Sequence, residues 1–407
     1  GREHALIKKL KESPKAGKIY CAPGNGGISK DAECVNISVM DKENIIAFAK
    51  EKNIDLVFVA PDDPLAAGVV DALNDAGIRA FGPVAKAAEI ESSKVFSKNL
   101  MKKYNIPTAG YEVFSDPEKA IAYIEEQNKF PTVIKADGLA LGKGVIIAQS
   151  LEEAKDAVKE IMEDKKFGES GNNVVIEEFL TGPEVSVLAF TDGKTLKPMI
   201  SSMDHKRALD GDKGLNTGGM GTISPNPYYT DDMAEVCMKT IFMPTVEAMN
   251  KEGRPFKGCL YFGLMLTPDG PKVIEYNSRF GDPEAQVVLT LLDSDLVDIV
   301  NAVIDEKLDQ VDIKWSKDNA ACIVMASGGY PEAYKKGIEM DGFDENGQVD
   351  GAVVFHAGTK FENGKFYTNG GRVIGVTAKG ETLEKALDNA YAAVEKISFD
   401  GAHYRKD

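Results

Sequence analysis

The sequence predicts a mixed α/β and α+β protein in three parts. These are an N-terminal doubly wound parallel sheet, a middle α+β region with mixed sheets, and a small C-terminal α+β domain. Three observations predict it. Short apolar runs alternate with helical periodicity over residues 1–90, the pattern of βαβ units. From about residue 91, strand-like runs follow one another across turns. From about residue 315, short strands surround one last helical stretch. A chain of 407 residues has room for about two or three domains.

The elements follow in order. "EHALIKKLKES" reads as a helix, and "KIYCAPG" as a short strand closed by a Pro-Gly turn. "NIIAFAKEKNI" is helical by apolar spacing, and "DLVFVAP" is a continuous apolar strand. "AAGVVDALNDAGI" reads as one helix ended by glycine, and "RAFGP" as a strand. "SSKVFSKNLMKKYNIPTAGYEVF" gives a helix and then a strand. "PTVIKADGLALGKGVIIAQS" gives two strands joined by a Gly- and Lys-containing loop. A helix over 151–165 and the strand "NNVVIEEFL" come next, and "EVSVLAFTDG" and "TLKPMISS" look antiparallel. Residues 204–227 read as one long polar loop. A helix over 231–251, the strand "GCLYFGLMLT", a Pro-Asp-Gly turn and the strand opening "KVIEYN" complete the middle region. The last part holds "NAACIVMAS", "GAVVFHAGTKF", "GRVIGVTAKG" and a helix over 381–397.

The bulk numbers restrict the function class. The net charge of −16 does not favour a nucleic acid or an anionic membrane as partner. Five scattered cysteines without a C-x-x-C, and four dispersed histidines, argue against a disulfide framework and a zinc centre and fit a reducing, cytoplasmic setting. No membrane-spanning run or signal peptide is expected. The chain opens on Gly1-Arg2-Glu3-His4 at a helix. A glycine there usually follows a strand in a phosphate-binding βα unit, so a first strand is expected to be missing.

Several stretches carry residue types suited to chemistry, each with a structural alternative. In "GLALGKG", Gly138, Gly142 and Gly144 would let backbone N–H groups approach phosphate, and Lys143 adds charge. It is not a P-loop, and taken alone the stretch reads first as a plain glycine-rich hairpin. Lys135 ends an apolar strand and Lys94 precedes a helix, so each is a phosphate contact or a solvated end. "VVIEEFLTGPEVSV" leads a buried strand into a linker, where adenine can sit on backbone groups and Glu184 can accept from ribose. The alternative is an edge strand with solvated acids. His205 in the polar loop is a general base or a hydrogen-bonded loop histidine. In "KVIEYNSRFGDPEAQ", Glu275 and Asn277 share one side of a strand end and offer hard oxygens suited to Mg²⁺. Arg279 continues the row and can clamp a carboxylate or developing oxyanion. A salt-bridged strand end is the alternative.

Taken in order, "GREHA", "APGNGG", "SSKVFSKNLM", "VIKADGLALGKGVI", "VIEEFLTGPEVS", "DHKR", "NTGGMGTISP", "IEYNSRFGDPEAQ", "MASGGYPEAY", "FHAGT" and "TNGGRVIGVTA" span nearly the whole chain. Together they resemble the glycinamide ribonucleotide synthetase (phosphoribosylamine–glycine ligase) family of the ATP-grasp superfamily. The resemblance implies an N-terminal substrate domain (1–91), an ATP-grasp domain (92–314) with a mobile lid about 108–182, and a C-terminal domain (315–407). It implies ligation of glycine to 5-phosphoribosylamine through glycyl phosphate, with ATP as substrate and Mg²⁺ or Mn²⁺ as cofactor. Lys94, Lys135 and the loop with Gly138, Gly142, Lys143 and Gly144 would meet the ATP phosphates. Glu177, Glu178, Phe179 and Leu180 would hold adenine, and Glu184 ribose. Glu275 and Asn277 would bind the metal. Arg279, Asp282 and Lys206 would be catalytic. Arg2, Glu3, Asp204, Asn216, Gly218, Gly219, Glu284 and Arg372 would hold the other substrates. A cytoplasmic monomer without nucleic-acid or membrane partners is implied.

The chain departs from the family pattern at Asp62, where Gly-Pro-Glu is usual around it, and at Gly263, where many ATP-grasp enzymes carry an acidic metal ligand. The alternatives are another ATP-grasp carboxylate–amine ligase and an inactive nucleotide-binding homologue.

Overall fold

The computed structural model describes residues 1–140 and 143–407. In the N-terminal region the strands are very short. Tyr20–Cys21 pairs in parallel with Glu33–Cys34, and Val57–Phe58 with Ala80–Phe81. Helices Arg2–Lys11, Lys42–Glu51 and Ala85–Ser92 surround them. The stretch read as one helix is two, Asp62–Ala66 and Val69–Asp75. Gly68 separates them because its φ of 86° is left-handed, a conformation that interrupts an α-helix.

The middle region holds two antiparallel sheets. In one, the order is Tyr111–Phe114, Val174–Glu178, Thr132–Ala136, Val145–Ala148. Helices Pro117–Gln127 and Leu151–Val158 pack with it around Ile134, Val158 and Val174. In the other, the order is Leu196–Pro198, Glu184–Thr191, Gly258–Thr267, Gly270–Asn277. Its apolar side meets a long helical segment. That segment runs from Asp231–Cys237 through a π turn, Met238–Phe242, into Met243–Lys251. The antiparallel pairing of Glu184–Thr191 with Leu196–Pro198 agrees with the sequence reading.

The 204–227 stretch is not one loop. It contains the strand Met203–Asp204, the hairpin of Arg207–Leu209 with Lys213–Asn216, and the strand Gly221–Ser224. Gly221–Ser224 pairs with Asn319–Ala326, nearly a hundred residues further on, so its partner could not be read locally. The resulting five-stranded sheet has the order Met203–Asp204, Gly221–Ser224, Asn319–Ala326, Arg372–Gly380, Val353–His356. Helix Leu383–Val394 packs on it. The C-terminal sheet therefore draws two strands from the middle region. Among the described residues no helix is long and apolar enough to cross a membrane.

Candidate active site

Strand Gly270–Asn277 owes its functional face to one irregularity. Its register against Gly258–Thr267 runs Gly263↔Glu275 and then Leu264↔Val273, so Ile274 is an extra residue, a β-bulge. The bulge shifts the inside–outside alternation by one. Val273 and Tyr276 both join the core, and the Tyr276 hydroxyl meets Thr245 Oγ1 at 2.8 Å. Glu275 and Asn277 are left together on the opposite side, as strand alternation predicts. Ile274 turns its carbonyl to Lys135 Nζ at 3.3 Å.

Glu275 is the electrostatic centre. Burial opposes its charge, but Lys206, Lys135, Lys94 and Arg279 together outweigh burial and hold its carboxyl below the ordinary value. Lys206 Nζ lies 3.7 Å from Glu275 Oε1, and that carboxylate raises the ammonium above its usual range. Asn277 is buried beside it in the strand. The position opposite Glu275 is Gly263, where a Cβ would lie 3.1 Å from Glu275 Cγ. Among the described residues no three acidic, His or Cys side chains gather to hold a metal.

Arg279 is anchored by Glu91, with Nη2 to Oε2 at 3.0 Å. Glu91 also accepts from the Ser278 backbone N–H at 2.8 Å and hydroxyl at 2.9 Å. Burial alone would lower the Arg279 pKa, but the carboxylates of Glu91 and Asp62 raise it. Arg279 Nε is buried and has no partner among the described residues.

Lys135, at the end of Thr132–Ala136, pairs with Glu177 Oε2 at 3.0 Å. The Glu177 carboxylate is thus turned inward, while its backbone lies in the sheet between Tyr111 and Val133. Glu178 accepts from Gly110 N at 3.2 Å and lies 3.8 Å from Lys272. Phe179 is an exposed phenyl beside the partly buried Leu180. Lys94 donates to the Gly138 carbonyl at 2.9 Å, and burial lowers its pKa. Gly138 has φ +92°, and a Cβ on Gly144 would come within 2.7 Å of Ala140 Cβ, so both positions need glycine. Lys143 is exposed, and Gly142 lies outside the described residues.

A second cluster lines the same cleft. Glu184, Ser186, Asp204, Lys206, Tyr261 and Glu275 share its wall. The Tyr261 hydroxyl meets Ser186 Oγ at 2.8 Å and donates to Glu284 Oε1 at 3.2 Å. Burial pushes both Asp204 and Glu284 upward; the Glu284 carboxylate adds to the rise at Asp204, where the shift is large, and the Asp282 carboxylate adds to that at Glu284. His205 is a loop histidine whose Nδ1 lies 3.2 Å from the Gly221 carbonyl.

At the edge, Asp282 gathers the remaining residues. It accepts from Arg2 N at 3.1 Å and from Gln286 Nε2 at 2.7 Å. Burial would raise its pKa, while the guanidinium groups of Arg372 and Arg2 favour its charged form. Arg2 reaches Glu3 at 3.2 Å and the Phe280 carbonyl at 3.0 Å. Arg372 donates to the carbonyls of Gly218 at 2.9 Å and Asp282 at 2.8 Å. Gly219 needs to be glycine, because a Cβ would lie 2.5 Å from Pro283 Cδ and 2.7 Å from Asp204 Oδ1. Asn216 stands apart, exposed on the hairpin opposite Arg207. Sequence reasoning missed Tyr261, Ser186, Glu91 and Lys98. No local pattern marks them, because their partners are distant in the chain.

Three family models match consecutive parts of the chain. They are the phosphoribosylglycinamide synthetase N domain at residues 1–91, its ATP-grasp (A) domain at 92–285 and its C domain at 320–407. A phosphoribosylamine–glycine ligase of Clostridium acetobutylicum is 47% identical over 407 residues, covering 100% of this chain and 97% of that protein. The trifunctional purine biosynthetic protein adenosine-3 of Gallus gallus is 50% identical over 410 residues, 100% of this chain and 41% of that one. The crystal structure of a phosphoribosylamine–glycine ligase from Thermotoga maritima has a TM-score of 0.85 at 33% identity, covering 100% of this chain and 97% of that one. A biotin carboxylase domain from Hydrogenobacter thermophilus, solved with MgADP and bicarbonate, shares the fold at TM-score 0.76 and 17% identity, covering 99% of this chain and 89% of that one. The chain belongs to the phosphoribosylglycinamide synthetase family.

Proposed function

We propose that this protein joins glycine to 5-phosphoribosylamine at the expense of ATP, through glycyl phosphate, yielding glycinamide ribonucleotide, ADP and phosphate. One observation carries the reading beyond family membership: four cations, Lys206, Lys135, Lys94 and Arg279, converge on the ionised Glu275. A carboxylate is a poor acylating agent and must first become a mixed anhydride. Transfer of a phosphoryl group needs charge neutralisation and alignment more than covalent chemistry.

In this reading a glycine carboxylate oxygen attacks the γ-phosphorus and ADP leaves. The amine then attacks the glycyl carbon and phosphate departs with that oxygen. Lys94, Lys135 and the glycine loop carry the phosphates, Glu177 to Leu180 the adenine and Glu184 the ribose. Arg279 holds the acyl phosphate through its Nε edge, which has no partner among the described residues. Lys206 and Asp282 serve the reacting groups. Arg2, Glu3, Gly218, Gly219 and Arg372 enclose the amine substrate. Asp204 and Glu284, less acidic through burial, suit uptake of the amine's proton.

Glu275 and Asn277 fit Mg²⁺, or Mn²⁺, as a hard-oxygen pair that leaves most positions to phosphate and water. When bound, the metal neutralises phosphate charge. The parts would be residues 1–91 for the amine substrate, 92–314 for ATP with a lid at about 108–182, and 315–407 closing the site. We place the protein in the cytoplasm, as a monomer. The test is ADP release with Mg-ATP. Release only when glycine and phosphoribosylamine are both supplied supports the ligase. Equal release with another acid in place of glycine refutes it.

A further inference from the structure

Lys98 takes no part in the mechanism above, yet it is 2% exposed and fully enclosed by polar partners. It lies on helix Lys94–Lys103 and reaches the root of the 108–182 segment. Its Nζ donates to Thr108 Oγ1 at 2.7 Å and to the Ala109 carbonyl at 3.1 Å, where the chain enters that segment. It lies 3.5 Å from Glu177 Oε1, where the chain is about to leave. The Tyr111 ring stands 5.2 Å away. Thr108 passes the connection on, donating to the Val273 carbonyl at 2.7 Å, one residue before the bulge.

Glu177 therefore faces two buried lysines, Lys98 at 3.5 Å and Lys135 at 3.0 Å. Two cations share one carboxylate, so the group is left with one positive charge. We propose that Lys98 is a positioning residue for ATP: it satisfies Glu177 and pins the root of the lid, so that Lys135 keeps its charge available to phosphate. Without Lys98, Glu177 and Lys135 form a neutral pair, and a bound phosphate meets one cation fewer. Lys98 itself is costly to keep charged. Burial pushes its pKa down to about 8, against the pull of Glu177. A residue kept solely to fill space there would be better served by an uncharged side chain.

This assignment rests on ATP being the substrate. The experiment is calorimetric binding of two probes, the β,γ-methylene analogue of ATP with magnesium and adenosine, which lacks phosphates. The proteins are wild type, Lys98→Met and the double variant Lys98→Met with Glu177→Gln. Lys98→Met is expected to bind the analogue about tenfold more weakly, with adenosine within about twofold of wild type. The double variant frees Lys135 again, since the amide oxygen still accepts from it without cancelling its charge. It is expected to recover most of the loss. Unchanged analogue binding in Lys98→Met overturns the assignment. So does an equal loss for adenosine, which marks a merely structural role, or a double variant without recovery. Should Lys98→Met not fold, the double variant is read alone. Its analogue-to-adenosine affinity ratio should stay within about threefold of wild type, and a tenfold fall overturns the assignment. Wild type that binds neither probe would overturn the ATP reading as well, whereas wild-type binding unaffected by Lys98→Met overturns this assignment alone.

Discussion

Arg279 is held at one end of its guanidinium and open at the other. Nη2 is fixed by Glu91 at 3.0 Å, while Nε is buried with no partner among the described residues. An anion arriving at Nε would complete the set without reorganising the side chain, which is how preorganised donors lower a barrier. Arg279→Ala is expected to lower kcat for amide formation by about a hundredfold or more. Its affinity for ATP, measured separately, should stay within about threefold of wild type. Full activity would remove Arg279 from the mechanism. This residue was legible in the sequence, because Glu275, Asn277 and Arg279 recur every second residue. Glu91 was not. It stands 187 positions from the Ser278 it binds, inside an ordinary helical stretch, and burial is not written in residue type.

Among the elements, the strand holding Glu275 works only with its bulge. Alternation alone would put Val273 and Glu275 on the same side, yet one is core and the other faces the cleft. The sequence reading puts Glu275 and Asn277 together on one side of this strand, without the extra residue at Ile274 that gives Lys135 its carbonyl. The 204–227 stretch shows the opposite limit. Its strands are two to four residues long and polar, so no periodicity could reveal them. The chain just after strand Val174–Glu178 passes close to the second sheet. Gly182 has φ +139°, and a Cβ there would lie 2.1 Å from the Leu266 carbonyl oxygen. Gly182→Ala is therefore expected to destabilise the protein by about 2 kcal/mol or more in denaturant titration. A midpoint equal to wild type would show that this crossing is looser than the contact implies.

Across the whole molecule, the N-terminal region and the C-terminal sheet lock through two buried histidines. The His356 backbone N–H donates to His4 Nδ1 at 2.8 Å, which leaves His4 Nε2 to donate to Asp31 at 2.8 Å. The His356 ring bridges Thr359 at 2.9 Å and the Gly347 carbonyl at 2.8 Å. Burial pushes His356 from 6.5 down to about 3 and lowers His4 also. Between those values the unfolded chain binds a proton that folded His356 refuses. Stability is thus fully present above pH 6.5 and falls as pH drops toward 3, at up to about 1.4 kcal/mol per pH unit for this one group. His356→Asn should flatten that slope in urea titrations between pH 6.5 and 4, even if the variant is less stable overall. An unchanged slope would place the acid sensitivity elsewhere. At this scale the three-part order was legible from texture, but the sharing of Gly221–Ser224 with the C-terminal sheet was not, since that pairing joins distant segments. The central claim is that glycine's carboxylate is activated as glycyl phosphate within this assembly. The measurement that tests it most directly supplies glycine labelled with ¹⁸O in both carboxylate oxygens, together with Mg-ATP and phosphoribosylamine, and weighs the inorganic phosphate formed. The account predicts one ¹⁸O atom in each phosphate released, with the other retained in the amide. Phosphate free of label, formed alongside amide product, would contradict it.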